Sequence, residues 1–129
     1  MEYDRFIARV QEEADMADWD AATEGVTAVL ATLGERLYRT EASHLAAQLP
    51  RELKGAIRAV RPPAPSRTAV ESFSLEEFYA RVSKRADVGY PQAVKLTRGV
   101  AAVLKEAVSP GELEDIRSEL SAEYAELFD

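Results

Sequence analysis

Ten residues near the start of this chain come back 72 positions later. Phe6-Ile7-Ala8-Arg9-Val10-Gln11-Glu12-Glu13-Ala14-Asp15 returns as Phe78-Tyr79-Ala80-Arg81-Val82-Ser83-Lys84-Arg85-Ala86-Asp87, sharing F-x-A-R-V-x-x-x-A-D. Beyond the first copy one residue is lost, and the likeness continues at an offset of 71. Ala22, Val29, Ala31, Leu33, Glu35, Glu41, Leu49 and Glu52 recur as Ala93, Val100, Ala102, Leu104, Glu106, Glu112, Leu120 and Glu123. A chain written twice in one pattern is expected to fold as two versions of one unit. Two units are too few for a solenoid. Each would leave an apolar face exposed by itself, so they are expected to pack together as one pseudo-symmetric helical bundle.

The spacing inside the repeat predicts helices. Tyr3, Phe6, Ile7 and Val10 fall at i, i+3, i+4 and i+7, and Leu75, Phe78, Tyr79 and Val82 repeat that spacing. The first helix is expected over about Glu2 to Ala14. Asp18 is placed to cap the second, whose stripe is Ala22, Val26, Val29, Leu30, Leu33 and Leu37. Thr40 is expected to cap a third helix with Glu41 in its first turn, and Leu45 and Leu49 inward. Pro50 suits the first position of a short fourth helix carrying Leu53, Ala56 and Ile57.

Arg61-Pro62-Pro63-Ala64-Pro65-Ser66-Arg67 cannot be helix interior, because three prolines remove donors and force extended geometry. Ser74 and Glu77 then form a capping box, with Phe73 stapled to Phe78. Pro91 sits in a first helical turn, followed by Ala93, Thr97, Val100, Ala101, Leu104 and Val108. Ser109-Pro110-Gly111 reads as a turn, Leu113, Ile116 and Leu120 face inward, and Ser121 caps a last helix ending in Tyr124, Leu127 and Phe128. No alternating β-branched stretch occurs, so the expected fold is all-α. The expected organisation is one helical domain over 1–129, with a first repeat over 2–59, a proline-rich linker over 60–73 and a second repeat over 74–129.

Several separated segments, in order, resemble the bacterial and archaeal family catalogued as domain of unknown function 2267 (DUF2267). They are the helix Tyr3 to Val10, the run Leu33-Gly34-Glu35-Arg36-Leu37, the turn Gln48-Leu49-Pro50, and the second-half stretches Phe78 to Val82 and Leu120 to Phe128. The resemblance implies an all-helical fold and carries no catalytic residue, cofactor or substrate. Ser121 stands where the first unit has Pro50, so the halves differ at that turn.

Composition narrows function by exclusion. With no cysteine, disulfides, thiolate catalysis and cysteine metal sites are ruled out. Met1 to Arg5 has no basic and apolar leader pattern, and no apolar run reaches the length of a membrane span, so a soluble cytoplasmic protein without membrane contact is expected. Glycine-rich phosphate loops and nucleophile-elbow serines are absent. The expectation is therefore no catalytic residue, no cofactor and no metal ligand, and the reading leans away from an enzyme. His44, the sole histidine, reads as a surface residue, since sequence spacing supplies it no partner. Asp15, Asp18 and Asp20 beside Glu12 and Glu13 lack the glycine and distal glutamate of a calcium loop, and read as caps and a solvated face.

Two features remain as a candidate interaction surface. Arg51, Lys54, Arg58, Arg61 and Arg67 form a basic run opposed only by Glu52, while the end of the second unit is acidic. Three readings stay open: a solvated flank, docking of basic end on acidic end within or between chains, or a nucleic-acid contact. A net charge of −7 disfavours nucleic acid. Trp19 has no twin, since position 91 is a proline, and a Trp that breaks the repeat is a candidate partner contact. These features suggest a non-enzymatic interaction or regulatory module with a homo-oligomer or protein partner. A nucleic-acid-associated protein is the alternative, and an enzyme or small-ligand binder with an unrecognised site a weaker one.

Overall fold

A computed structural model describes residues 1–58 and 72–128. Their regular elements are all helical: α1 Tyr3–Ala14, α2 Trp19–Arg36, α3 Arg39–Ala47, a 3-10 turn Arg51–Leu53 running into α4 Lys54–Arg58, α5 Leu75–Ala86, α6 Tyr90–Ala107, α7 Pro110–Glu119, and a 3-10 turn Ala122–Tyr124 running into α8 Ala125–Phe128. None is long and apolar enough to cross a membrane. The proline-rich segment around Arg61 to Arg67 lies outside the described residues.

The repeated decapeptide has the same local anatomy in both places. Phe6, Ile7 and Val10, and likewise Phe78, Tyr79 and Val82, are buried. Both helices stop on the aspartate that ends the motif, which is left-handed at φ 55° in each case. That backbone turns the N–H groups of Asp15 and Met16 back onto the Gln11 carbonyl, and those of Asp87 and Val88 onto the Ser83 carbonyl. Carbonyls that the helix end would strand are thereby satisfied.

Helices α2 and α6, 18 residues each, form the centre. Asp18 caps α2 as expected, accepting from the N–H groups of Asp20 and Ala21. The whole predicted stripe from Ala22 to Leu37 is buried. Helix α1 packs on α6 as well as α2, α5 packs on α2 as well as α6, and α2 touches α6 directly. Gly25 permits that approach, since a Cβ there would stand 2.4 Å from Leu96 Cδ2. Around this core, α4 rests on α2, α8 on α6, and α3 meets α7.

Several helix starts differ from expectation. Thr40 does not cap α3. Tyr38 holds the cap position, and its N–H donates to Glu119 Oε1 at 2.9 Å on α7. Pro50 lies before a 3-10 turn and not inside a helix. Pro110 and Gly111 form the first turn of α7, capped by the Ser109 hydroxyl accepting from Glu112 N–H. Ser121 occupies a cap position without capping through its side chain. Ser74 caps α5 as expected, and Phe73 packs on Phe78 with ring centroids 6.3 Å apart. The Glu77 carboxylate turns forward to Arg81, 2.8 Å from its Nε.

Candidate functional site

Helices α3 and α7 meet along a seam that holds charge where apolar contact is the rule. Glu41 is the third residue of α3 and Glu112 the third of α7. Their exposures are 7% and 5%. At each helix end the other helix supplies a partner. Tyr38 N–H donates to Glu119, and Ser109 N–H donates to Gln48 Oε1 at 2.7 Å. This lacing holds α3 and α7 together and draws their first turns inward, so both glutamates are carried out of solvent.

A buried carboxylate loses hydration, and a second one beside it adds repulsion. Burial first, then the hydrogen bond and charge of Glu41, push the Glu112 carboxyl up to about 8. Even so, Glu41 Oε2 and Glu112 Oε2 are each buried with no hydrogen-bond partner. His44 lies one helical turn after Glu41 on the exposed side of the seam. One ligand atom from each of Glu41, His44 and Glu112 falls within 4.8 Å of the others.

His44 is at the surface, as its position in the sequence predicts. What spacing along the chain could not supply is Glu112, which arrives from the other half. A signal for the seam was present nevertheless, since Glu41 recurs as Glu112 within a mostly apolar set of repeated positions. Arg36 gave less warning. It is 5% exposed, donates to the Phe73 and Glu119 carbonyls at 3.1 and 3.2 Å, and lies over the Tyr124 ring.

Among the described candidate interaction residues, Trp19 stands apart from the basic run. Arg51 and Arg58 are exposed and Lys54 half-buried along the 3-10 turn and α4, while Arg61 lies outside the described residues. Trp19 opens α2, whereas α4 seats against Gly34, about 22 Å further along that helix. Trp19 also has an aromatic counterpart, contrary to the expectation that proline replaces it. Helix α6 begins at Tyr90, as α2 begins at Trp19, and the two residues are 44% and 39% exposed. Of the acidic group, Asp15 ends α1, Asp18 caps α2, and Glu12 and Glu13 pair with Arg9.

A crevice between α7 and α8, lined by Arg117, Leu120, Ser121, Tyr124 and Phe128 among others, holds about 110 Å³. That is below the several hundred Å³ of ordinary ligand pockets.

No curated protein matches the chain. The family described as "Uncharacterized conserved protein (DUF2267)" matches residues 3–127, a span that takes in both copies of the motif and both sides of the α3–α7 seam. The match agrees with the resemblance carried by the separated segments and by the all-helical architecture, and this chain belongs to the DUF2267 family.

Proposed function

We propose that the protein is a non-catalytic helical interaction module, built from two units in approximate twofold relation, that docks through the basic flank of α4 onto the acidic end of a second copy. Three contacts between the halves support the twofold relation, because each is its own counterpart or has one. Arg9 bonds Glu106, with Nε 3.0 Å from Oε1, and Arg81 bonds Glu35 at 2.9 Å. Tyr38 N–H meets Glu119 as Ser109 N–H meets Gln48. Glu41 meets Glu112, its own equivalent in the repeat.

The docking reading rests on one observation. Arg51, Lys54 and Arg58 make no ion pair among the described residues, although the chain carries 23 carboxylates against 16 Lys and Arg. Acid is in excess, yet within the described residues these three cations stay unmatched together on one short segment. The exposed Glu114 and Asp115 of α7 supply the complementary charge. Docking of basic flank on acidic flank is heterologous, giving a ring where the rotation closes and an open chain where it does not.

Sedimentation across a concentration series tests this. The expected result is species larger than monomer at low salt, reduced to monomer by Arg51→Glu with Lys54→Glu and Arg58→Glu. Restoration by Glu114→Lys with Asp115→Lys would identify the complementary face. A monomer at every concentration overturns the proposal. So does a salt-sensitive shift of DNA or RNA that the triple variant abolishes, which would assign the flank to nucleic acid.

A further inference from the structure

We infer that Glu41, His44 and Glu112 form a binding site for a divalent transition-metal cation, of the Zn²⁺ class, clamping α3 to α7. The site is separate from the docking flank on α4. Glu41-Ala42-Ser43-His44 places a carboxylate and an imidazole three residues apart, so both project from one face of α3. Glu112 faces them from α7, and the three ligand atoms lie within 4.8 Å of one another.

The second observation is the state of the two glutamates. They are 93–95% buried by their 7% and 5% exposures, and an Oε2 of each has no hydrogen-bond partner. Two carboxylates in that position are costly unless a positive charge sits between them. No Lys or Arg is placed there by any ion pair among the described residues, whereas Arg9, Arg81 and Arg85 neutralise Glu106 and Glu35 elsewhere. A dication balances both charges at once.

The donor set selects the class of ion. An imidazole beside carboxylates suits Zn²⁺, Mn²⁺ or Fe²⁺, while Mg²⁺ and Ca²⁺ prefer oxygen alone. Zinc binds such ligands at about 2.0–2.2 Å, closer than the present spacing allows for all three. His44 is exposed and makes no hydrogen bond among the described residues, so its ring is free to swing in. Three protein ligands leave a position for water on that open side.

The test uses the full untagged chain, with Zn²⁺ added as its chloride, Mg²⁺ as the oxygen-preferring comparison, and Co²⁺ as a spectroscopic probe. Calorimetry is expected to give one Zn²⁺ per chain. At about a hundredfold excess over Kd the melting temperature should rise by roughly 10 °C. His44→Ala, a surface change, and Glu112→Gln, an isosteric one, should each weaken binding roughly tenfold or more. Both should also remove the visible absorption of bound Co²⁺. If Glu112→Gln does not fold, His44→Ala decides alone. Absence of heat and of a melting shift with Zn²⁺ overturns the site. Unchanged affinity in His44→Ala does the same, because it places the ion elsewhere.

Discussion

The two short helices that close the halves of the sequence repeat, α4 and α8, are attached by different physics. Helix α4 is seated by close approach. A Cβ on Gly34 would stand 1.9 Å from the Ile57 carbonyl oxygen, so α4 lies against the backbone of α2. The corresponding position on α6 is Lys105, which forbids that approach. Helix α8 stands off, and larger side chains fill the gap: Tyr124, Leu127 and Phe128 where the first half has Leu53, Ala56 and Ile57. Those side chains bring polar ties with them. Tyr124 Oη donates towards the Phe73 and Ser74 carbonyls at 2.9 and 3.1 Å. Glu126 accepts from Tyr79 Oη and Arg98 at 2.9 and 3.0 Å, and Glu123 accepts from Leu75 N–H at 2.8 Å. One pattern of helices thus admits two solutions, shape in the first half and hydrogen bonding in the second.

The sharpest way to break this contrast is to place alanine at the two corresponding positions, which adds a methyl group at Gly34 and trims the side chain at Lys105. Gly34→Ala meets a backbone carbonyl, which cannot swing aside as a side chain can. We expect a loss of about 3 kcal/mol or more, or outright release of α4. Lys105→Ala should change stability by no more than about 1 kcal/mol, since α8 is seated through the buried Tyr124, Leu127 and Phe128 and not by close approach at that position. Urea unfolding of both variants measures the difference. Similar losses at the two positions would show that α4 is not held by fit.

Shape and bonding were unequally legible in the sequence. The stripe from Ala22 to Leu37, the Asp18 and Ser74 caps and the Phe73 staple were readable because each signal lies within a few residues of its partner. Thr40 misled for the converse reason. The cap of α3 is completed by Glu119, from a helix 81 residues away, so no local rule could place it. The same holds for the seam. Glu41 was legible as a first-turn acid, but its burial against Glu112 depends on how α3 meets α7. The repeat held the missing clue, because Arg9, Glu35 and Glu41 recur as Arg81, Glu106 and Glu112. In the fold all six of these charges take part in contacts between the halves.

Tyrosine chemistry separates the halves at high pH. Burial, foremost, pushes both Tyr79 and Tyr124 up to about 12, and each belongs to the polar ties around α8. Their folded values lie above the ordinary value of 10.0, so folding favours the neutral phenol. The stability this confers is complete below about pH 10 and is lost as pH rises through about 12. Two of the five tyrosines should therefore titrate late by tyrosinate absorbance, with loss of helix following. Tyr124→Phe should remove one late phenol and cost about 1 kcal/mol at neutral pH. The cost stays modest because the Phe73 carbonyl keeps Arg36 and the Ser74 carbonyl keeps Phe78 N–H. All five tyrosines titrating together in the folded protein would contradict the account of α8.

The smallest expected effect tests where the halves are alike. Asp15 and Asp87 hold the same left-handed backbone at φ 55°, a conformation in which a Cβ crowds the following carbonyl. Aspartate tolerates it better than most residues, but glycine has no Cβ to crowd. Asp15→Gly and Asp87→Gly should each stabilise the protein by about 0.5 kcal/mol, the relief of strain being partly offset by the greater freedom of glycine in the unfolded chain. The aspartate side chains offer little to set against this, the nearest cation to Asp15 being Lys95 at 3.9 Å on an open surface. Because the two turns are alike in backbone, the gains should be equal and should add in the double variant. A gain at one position with a loss at the other, in paired urea titrations, would mean that the two copies of the motif do not end their helices for the same reason.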